Sequence, residues 1–268
     1  MNILVCVKQV PDTTEIKIDP VRNTLIRAGV PSILNPFDAY AMEAAARLKD
    51  ADPKGTKIIV MSMGPEAAEA VLRECLSMGA DAAYLMSDRA FGGSDTLATS
   101  YILSQGLKEV QKREGNIDLI FCGKQAIDGD TAQVGPELAE HLGYPQITYG
   151  LEAKREGACI RIKKEVEEGF QIIEADLPAV VTFTKASWEP RLATIKSLLA
   201  SRKAEIHVIT YADTTDIEDA MIGLKGSPTK VKKTFVPQKK VGGIKITGKN
   251  AVQAGKELAA LLDEAKVV

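Results

Sequence analysis

Short apolar runs alternate along the first half of the chain with stretches in which apolar residues return every three or four positions. Ile3 to Val7, Lys57 to Ser62, Ala82 to Met86 and Ile117 to Cys122 have the length and content of buried strands. Between them, Ala41, Ala44, Ala45 and Leu48 share one helical face, as do Ala67, Ala70, Val71, Cys75 and Met78. A long helix is predicted from Thr96 to about Glu114, and another through Val134, Leu138, His141 and Leu142. Punctuation agrees with the periodicity. Asn35 before Pro36 is a good helix start, and Gly79 is a natural stop. Four strand–helix alternations predict a parallel sheet covered on both faces. Ile16 to Ile18 and Thr24 to Arg27 alternate around Asp19-Pro20 and read as a peripheral hairpin.

The pattern changes after Gly143. Ile147 to Lys154, Cys159 to Val166, Phe170 to Glu174 and Ala179 to Thr184 are closely spaced and β-rich, with turns at Glu156-Gly157 and Glu168-Gly169. They are expected to extend the sheet as antiparallel strands. Ile206 to Ile209 is one more short strand. Met221 to Asn250 holds eight lysines and no acidic residue, a composition that buries little by itself. An amphipathic helix follows from Asn250 to Lys266. The division expected is an α/β domain over 1–210 and an arm with a terminal helix over 211–268.

Composition narrows the function more than it points to one. The chain has 268 residues, 45% hydrophobic and 26% charged, with a formal charge of -2. That balance gives no steering toward nucleic acid or an anionic membrane, and a single aromatic in the lysine-rich arm, Phe235, argues against single-stranded nucleic acid. No apolar run approaches the length of a membrane helix, so no membrane insertion is expected. Met1 leads straight into a strand without a basic region or cleavage site, which points to the cytoplasm. Four scattered cysteines and two histidines offer neither a disulfide framework nor a metal cluster.

Candidate chemistry lies where the strands end. In open parallel sheets, ligands bind beyond the carboxyl ends of the strands. Cys6 to Lys8, Asn35 to Asp38, Ser62 to Gly64, Gly92 to Thr96 and Gly123 to Val134 all fall on that side. The last segment, Gly123-Lys-Gln-Ala-Ile-Asp128-Gly-Asp-Thr-Ala-Gln-Val134, joins a strand to a helix start. Its glycines let backbone approach a phosphate, and a helix N-terminus offers unpaired N–H groups. Asp128 and Asp130 would repel a phosphate unless turned elsewhere. The same stretch also reads as a plain turn in which Asp130 or Thr131 caps the helix.

Three separated motifs carry a family likeness. They are Ile162-Lys-Lys-Glu-Val-Glu-Glu-Gly-Phe-Gln-Ile-Ile173 followed by Pro178-Ala-Val-Val-Thr182, then Gly123 to Asp128 with Thr131 to Gly135, and Val7-Lys8 with Asn35-Pro36-Phe37. On these the chain resembles the beta subunit of electron transfer flavoproteins over nearly its whole length. The resemblance implies a doubly wound, mostly parallel α/β fold of the nucleotide-binding, adenine nucleotide alpha hydrolase-like kind, with antiparallel strands added and a C-terminal arm plus helix. It implies a heterodimer with an alpha subunit carrying FAD. In conventional members the beta subunit holds AMP at positions matching Cys6, Asn35, Pro36, Phe37, Asp38, Met63 and the loop Gly123, Lys124, Gln125, Asp128, Gly129, Asp130, Thr131, Ala132, Gln133 and Val134; Lys8 and Gly64, beside them at the strand ends, are further cofactor-binding candidates.

One region departs from that pattern. Ser87-Asp88-Arg89 with Phe91, Gly93, Asp95, Thr96, Ala98, Thr99 and Ser100 is similar to the electron-bifurcating branch, whose beta subunit holds a second FAD where AMP would sit. The likeness assigns Gly93, Asp95, Thr96 and Thr99 to that FAD. It further implies NADH as electron donor, ferredoxin or flavodoxin as a low-potential acceptor, and a flavin dehydrogenase of the acyl-CoA dehydrogenase kind fed through the alpha FAD. Ser187 to Leu199 matches the segment that docks the dehydrogenase, with Trp188, Ile195, Leu198 and Leu199 as its anchors. On residue patterns alone, the favoured reading is a helix capped by Asp95 with Thr96 and Thr99 solvated. An ATP-using adenylating enzyme is the third class considered, and Lys8-Gln9-Val10-Pro11 stands where its pyrophosphate loop would be.

Overall fold

A computed structural model of the protein describes residues 1–12, 31–232 and 242–267. The hairpin expected between 16 and 27 lies outside them, as does the centre of the lysine-rich arm. The described residues fall in two units, 1–12 with 31–232, and 242–267.

The first unit is built on strands β1 (Asn2–Cys6), β2 (Gln9–Pro11), β3 (Ser32–Leu34), β4 (Lys57–Met63), β5 (Ala82–Met86) and β6 (Leu119–Gly123). Helices α1 (Pro36–Ala51), α2 (Glu69–Met78), α3 (Thr96–Glu114) and α4 (Val134–Leu142) alternate with them. Strands β7 (Gln146–Glu156), β8 (Cys159–Val166), β9 (Gly169–Asp176) and β10 (Ala179–Phe183) follow, then α5 (Ile195–Lys203) and β11 (His207–Ile209). Nine strands form one sheet in the order β11-β5-β4-β1-β6-β10-β7-β8-β9, while β2 and β3 make a separate antiparallel pair.

Both faces of the sheet are covered, because neighbouring residues of a strand point to opposite sides. Ile3 and Val5 of β1 pack with α1 and α2, whereas Leu4 and Cys6 pack with α3 and α4. The fold is thus doubly wound and mostly parallel, as the alternation of elements predicts.

One strand is not where its neighbours in sequence put it. β7, β8 and β9 pair antiparallel, but β10 returns to the middle and runs parallel to both β6 and β7. All five residues of β10 are buried, in contrast to the alternating exposure of β8. An unbroken run, Ala-Val-Val-Thr-Phe, suits a site covered on both faces, and that burial overrides the antiparallel expectation.

The first unit also runs past residue 210. Residues 211–232 pack on it: Ile222 is buried, and Glu218 N–H donates to the Tyr101 hydroxyl at 3.0 Å. The lysine-rich composition from Met221 onward therefore does not keep its first residues out of the core. In the second unit, α6 (Ala251–Glu264) is capped by the Asn250 side chain, which accepts from Gln253 N–H at 2.9 Å. Its Val252 and Leu258 are exposed. No helix among the described residues is long and apolar enough to cross a membrane.

Candidate functional site

At the carboxyl ends of β1, β4 and β6 a cavity of about 430 Å³ opens between α3 and α4. Cys6, Lys8, Met63, Gly123 and Lys124 line it from the strand ends, Asp38 from the first turn of α1, and Gly93, Asp95, Thr96 and Thr99 from the start of α3. Gln125, Gly129, Thr131, Ala132, Gln133 and Val134 close it from the loop before α4. A second cavity, of about 650 Å³, adjoins it and shares Lys8, Met63, Gly93 and Ser94. Gly64 faces this second space, with Glu66, Ser87, Asp88 and Arg89.

Five residues expected at the site stand behind the lining. Pro36 is exposed and Phe37 half-buried; the Lys124 ammonium lies 4.9 Å from the Phe37 ring centroid. Asn35 is only 1% exposed, and its side chain does not cap α1. It donates to the Gln125 carbonyl at 2.9 Å and accepts from Ile127 N–H at 3.2 Å, so it fastens the loop after β6. Pro36 alone sets the helix start. Asp128 and Asp130 are turned away from the cavity. Lys8 Nζ holds Asp128 at 2.7 Å, and Gln125 Nε2 donates to Asp130 at 2.7 Å.

Neither Asp130 nor Thr131 caps α4. Its N-cap position is Gln133, which makes no side-chain cap bond. Asp130 and Ala132 are left-handed, with φ of 53° and 54°, a conformation that costs a non-glycine residue energy and persists where surroundings enforce it. The N–H groups of Val134 and Gly135 at this helix end are thus free of a side-chain cap and border the cavity. The end of α3 is closed by contrast: Asp95 accepts from Ala98 N–H at 3.1 Å. Thr96 and Thr99 are half-buried, not solvated, and the Thr96 hydroxyl donates to Glu137 at 3.1 Å.

Asp38 ties the strand ends together. It accepts from Lys8 N–H at 2.7 Å and from Gly123 N–H at 3.1 Å. A Cβ on Gly123 would stand 2.3 Å from Asp38 Oδ1, so only glycine permits this approach. Burial pushes the Asp38 carboxyl up to about 7, although hydrogen bonds from Asn35, Lys8 and Gly123 act the other way. Cys6 and Cys122 are opposite one another on β1 and β6 and both face the cavity. The hydrogen bond with Cys6, then burial, hold the Cys122 thiol well above its usual range, which suits an apolar floor and not a nucleophile. Met61 and Leu103 complete that floor. Sequence reading passed over them, though Met61 shares a strand face with Met63.

The segment after β10 is held at its base and exposed beyond it. Trp188 is half-buried, with the Arg47 guanidinium 4.7 Å over its ring and the Tyr40 ring centroid 5.5 Å away. Arg191 donates to the buried Glu43 at 2.7 Å and to Asp50 at 2.6 Å. Ile195, Leu198 and Leu199 are exposed instead of sealing the core edge. Leu192, passed over in the sequence, is 91% exposed beside them.

Fold and site define a doubly wound α/β protein with two adjoining cavities beyond its strand ends. Residues 22–214 match the electron transfer flavoprotein domain. The chain is 55% identical over 246 residues, 91% of its length and 90% of the relative's, to the electron transfer flavoprotein subunit beta of Megasphaera elsdenii. It is 46% identical over 268 residues, all of both chains, to the caffeyl-CoA reductase-Etf complex subunit CarD of Acetobacterium woodii. It is 44% identical over 253 residues, 92% of its length and 93% of the relative's, to the acryloyl-CoA reductase electron transfer subunit gamma of Anaerotignum propionicum. The chain belongs to the electron transfer flavoprotein family, among its beta subunits.

Proposed function

We propose that this chain binds FAD and works in a heterodimer with an alpha subunit carrying a second FAD. NADH supplies electrons to the FAD held here; one passes to ferredoxin or a flavodoxin, the other through the alpha FAD to a dehydrogenase. The observation that carries this reading is that the two cavities lie side by side, with Lys8, Met63, Gly93 and Ser94 in the walls of both. AMP ends at one phosphate and is accommodated by the 430 Å³ chamber alone. A dinucleotide needs a passage onward to a second chamber of its own, and both volumes fall within roughly the 300–1,000 Å³ of small-molecule sites.

The residues present fit such a group. The uncapped start of α4 offers Val134 and Gly135 N–H to a phosphate. Thr96 and Thr99 supply hydroxyls, Lys124 a positive charge, and Cys6, Met61 and Cys122 an apolar floor. Lys8 and Gln125 keep two carboxylates off the anion by pairing with Asp128 and Asp130. A bound flavin supplies the redox chemistry, taking two electrons together and releasing them singly. The protein's part is to position that group and to exclude water from it.

Two relatives are named for reductases of CoA thioesters, which supports an acyl-CoA dehydrogenase-like partner. Leu192, Ile195, Leu198 and Leu199 form the exposed apolar cluster that would dock it. The lysine-rich arm and α6, with Val252 and Leu258 uncovered, would pack on the alpha subunit. Acid extracts of the complex should contain two FAD and no AMP, and NADH should bleach the flavin bound here. Replacing Thr96 and Thr99 by Val should lower the occupancy of one flavin only. One FAD, one AMP and no bleaching would refute the proposal and leave the chain as a holder of structural AMP.

A further inference from the structure

Gly93 and Ser94 line both chambers and Asp95 lines the smaller one, so one side of this segment faces the cavities. The other side is held by residues 223–229, more than a hundred positions away in sequence. The Ser227 hydroxyl, 4% exposed, accepts from Asp95 N–H at 2.8 Å and donates to the Gly223 carbonyl at 2.6 Å. Gly223 N–H donates to the Ser94 hydroxyl at 3.1 Å, and Thr229 N–H to Asp95 Oδ2 at 3.0 Å. Leu224 lies against Gly93, where an added Cβ would come within 2.6 Å of its Cδ2. Gly93 has a φ of 78°, so glycine alone adopts this backbone without strain.

We infer that Ser227, with Thr229, is a positioning residue that selects a dinucleotide over a mononucleotide by holding the 93–95 backbone back and keeping the two chambers joined. The inference rests on the FAD reading above. Its physical basis is an unequal burden. The open end of α4 and the loop after β6 bind one phosphate and its nucleoside without help from residues 223–229. Anything extending past Gly93 into the larger chamber needs this segment held clear. Without the Ser227 hydroxyl, Asp95 N–H loses its acceptor and the loop has a reason to turn toward the cavity, where polar groups and water are available. The chamber for AMP is spared, and the passage is narrowed.

The test is Ser227→Ala in the full-length protein, purified in its native complex, with Ser227→Thr as the variant that keeps the hydroxyl. Acid extracts of wild type are expected to give two FAD per complex. Ser227→Ala should give about one, with AMP rising toward one, and its relative affinity for FAD over AMP should fall on the order of tenfold. Ser227→Thr should restore the flavin. Ser227→Ala also gives up two hydrogen bonds of a buried hydroxyl and should melt several degrees lower with either nucleotide bound, so the deciding readout is the ratio of FAD to AMP, which a general loss of stability would not change. Two FAD retained in Ser227→Ala overturns the inference. So does equal loss of FAD and AMP, which would make Ser227 merely structural. A wild type holding one FAD and one AMP removes the FAD reading and this inference together, and it is distinguishable because it shows before any substitution is made.

Discussion

Replacing Asn35 separates two roles that one residue could play. In the sequence it is a helix cap; in the structure it is a tether, bonded to the Gln125 carbonyl and Ile127 N–H and almost wholly buried. Asn35→Ala removes the bonds to Gln125 and Ile127, each contributing about 0.5–1.5 kcal/mol and together about 1–3 kcal/mol, besides the one Asn35 gives Asp38. At about 2–4 °C per kcal/mol for a domain of this size, the melting temperature should drop by several degrees. Losing a cap would cost about 1 kcal/mol, so this variant alone does not distinguish the roles. Asn35→Ser does. Serine caps helices as well as asparagine, but its hydroxyl is too short to reach both loop groups. Calorimetry and equilibrium nucleotide binding on the three proteins should place Asn35→Ser with Asn35→Ala: destabilised, and weakened on the order of tenfold for nucleotide, because the untethered loop runs on into Val134. An Asn35→Ser protein that melts and binds like wild type would refute the tether.

Three further outcomes follow from the geometry. Asp38 has its pKa raised by burial from 3.8 to about 7, so the native state holds a proton that the unfolded chain releases. The stability this contributes is complete below about pH 4 and is lost as pH rises through about 7. Denaturant titrations should therefore show wild type losing stability relative to Asp38→Asn between pH 5 and 7, by at most about 1.4 kcal/mol per pH unit; a difference that does not change with pH would count against it. Ile195→Ala should slow electron delivery to the dehydrogenase several-fold with flavin content and melting temperature unchanged, since Ile195 is 81% exposed; an equal fall in delivery to an artificial dye, with a lower melting temperature, would show a core role. Truncation after Lys232, which spares the residues packed on the first unit, should weaken sedimenting heterodimers most at low salt, where exposed charge contacts are least screened; unchanged association at low and moderate salt would exclude the arm from the interface.

Much of the site was legible because strand ends and helix starts announce themselves. The residues from Gly123 to Val134 lie between an apolar run and a helical period, and sheet geometry puts such a segment on the ligand side. The lining from Cys6, Met63 and Thr96 follows from the same rule. What stayed hidden depended on partners distant in sequence. Asn35 looks like a cap because its neighbours are local, and its true bonds are to residues some ninety positions on. Trp188 is expected as a docking anchor, yet Arg47 and Tyr40 pack against its ring.

The sequence by itself determined most of the elements, their order and the side of the sheet on which chemistry could occur, because periodicity, caps and strand length are local properties; the short pair β2–β3 and helix α5 carry no such signal. Only the tertiary structure decided that β10 lies between β6 and β7, that Asp128 and Asp130 face away from the cavity, and that residues 223–229 hold the loop before α3. Each of these is a competition among burial sites and hydrogen-bond partners far apart along the chain. Its outcome depends on which groups the packed sheet and helices bring within a few ångströms of each other.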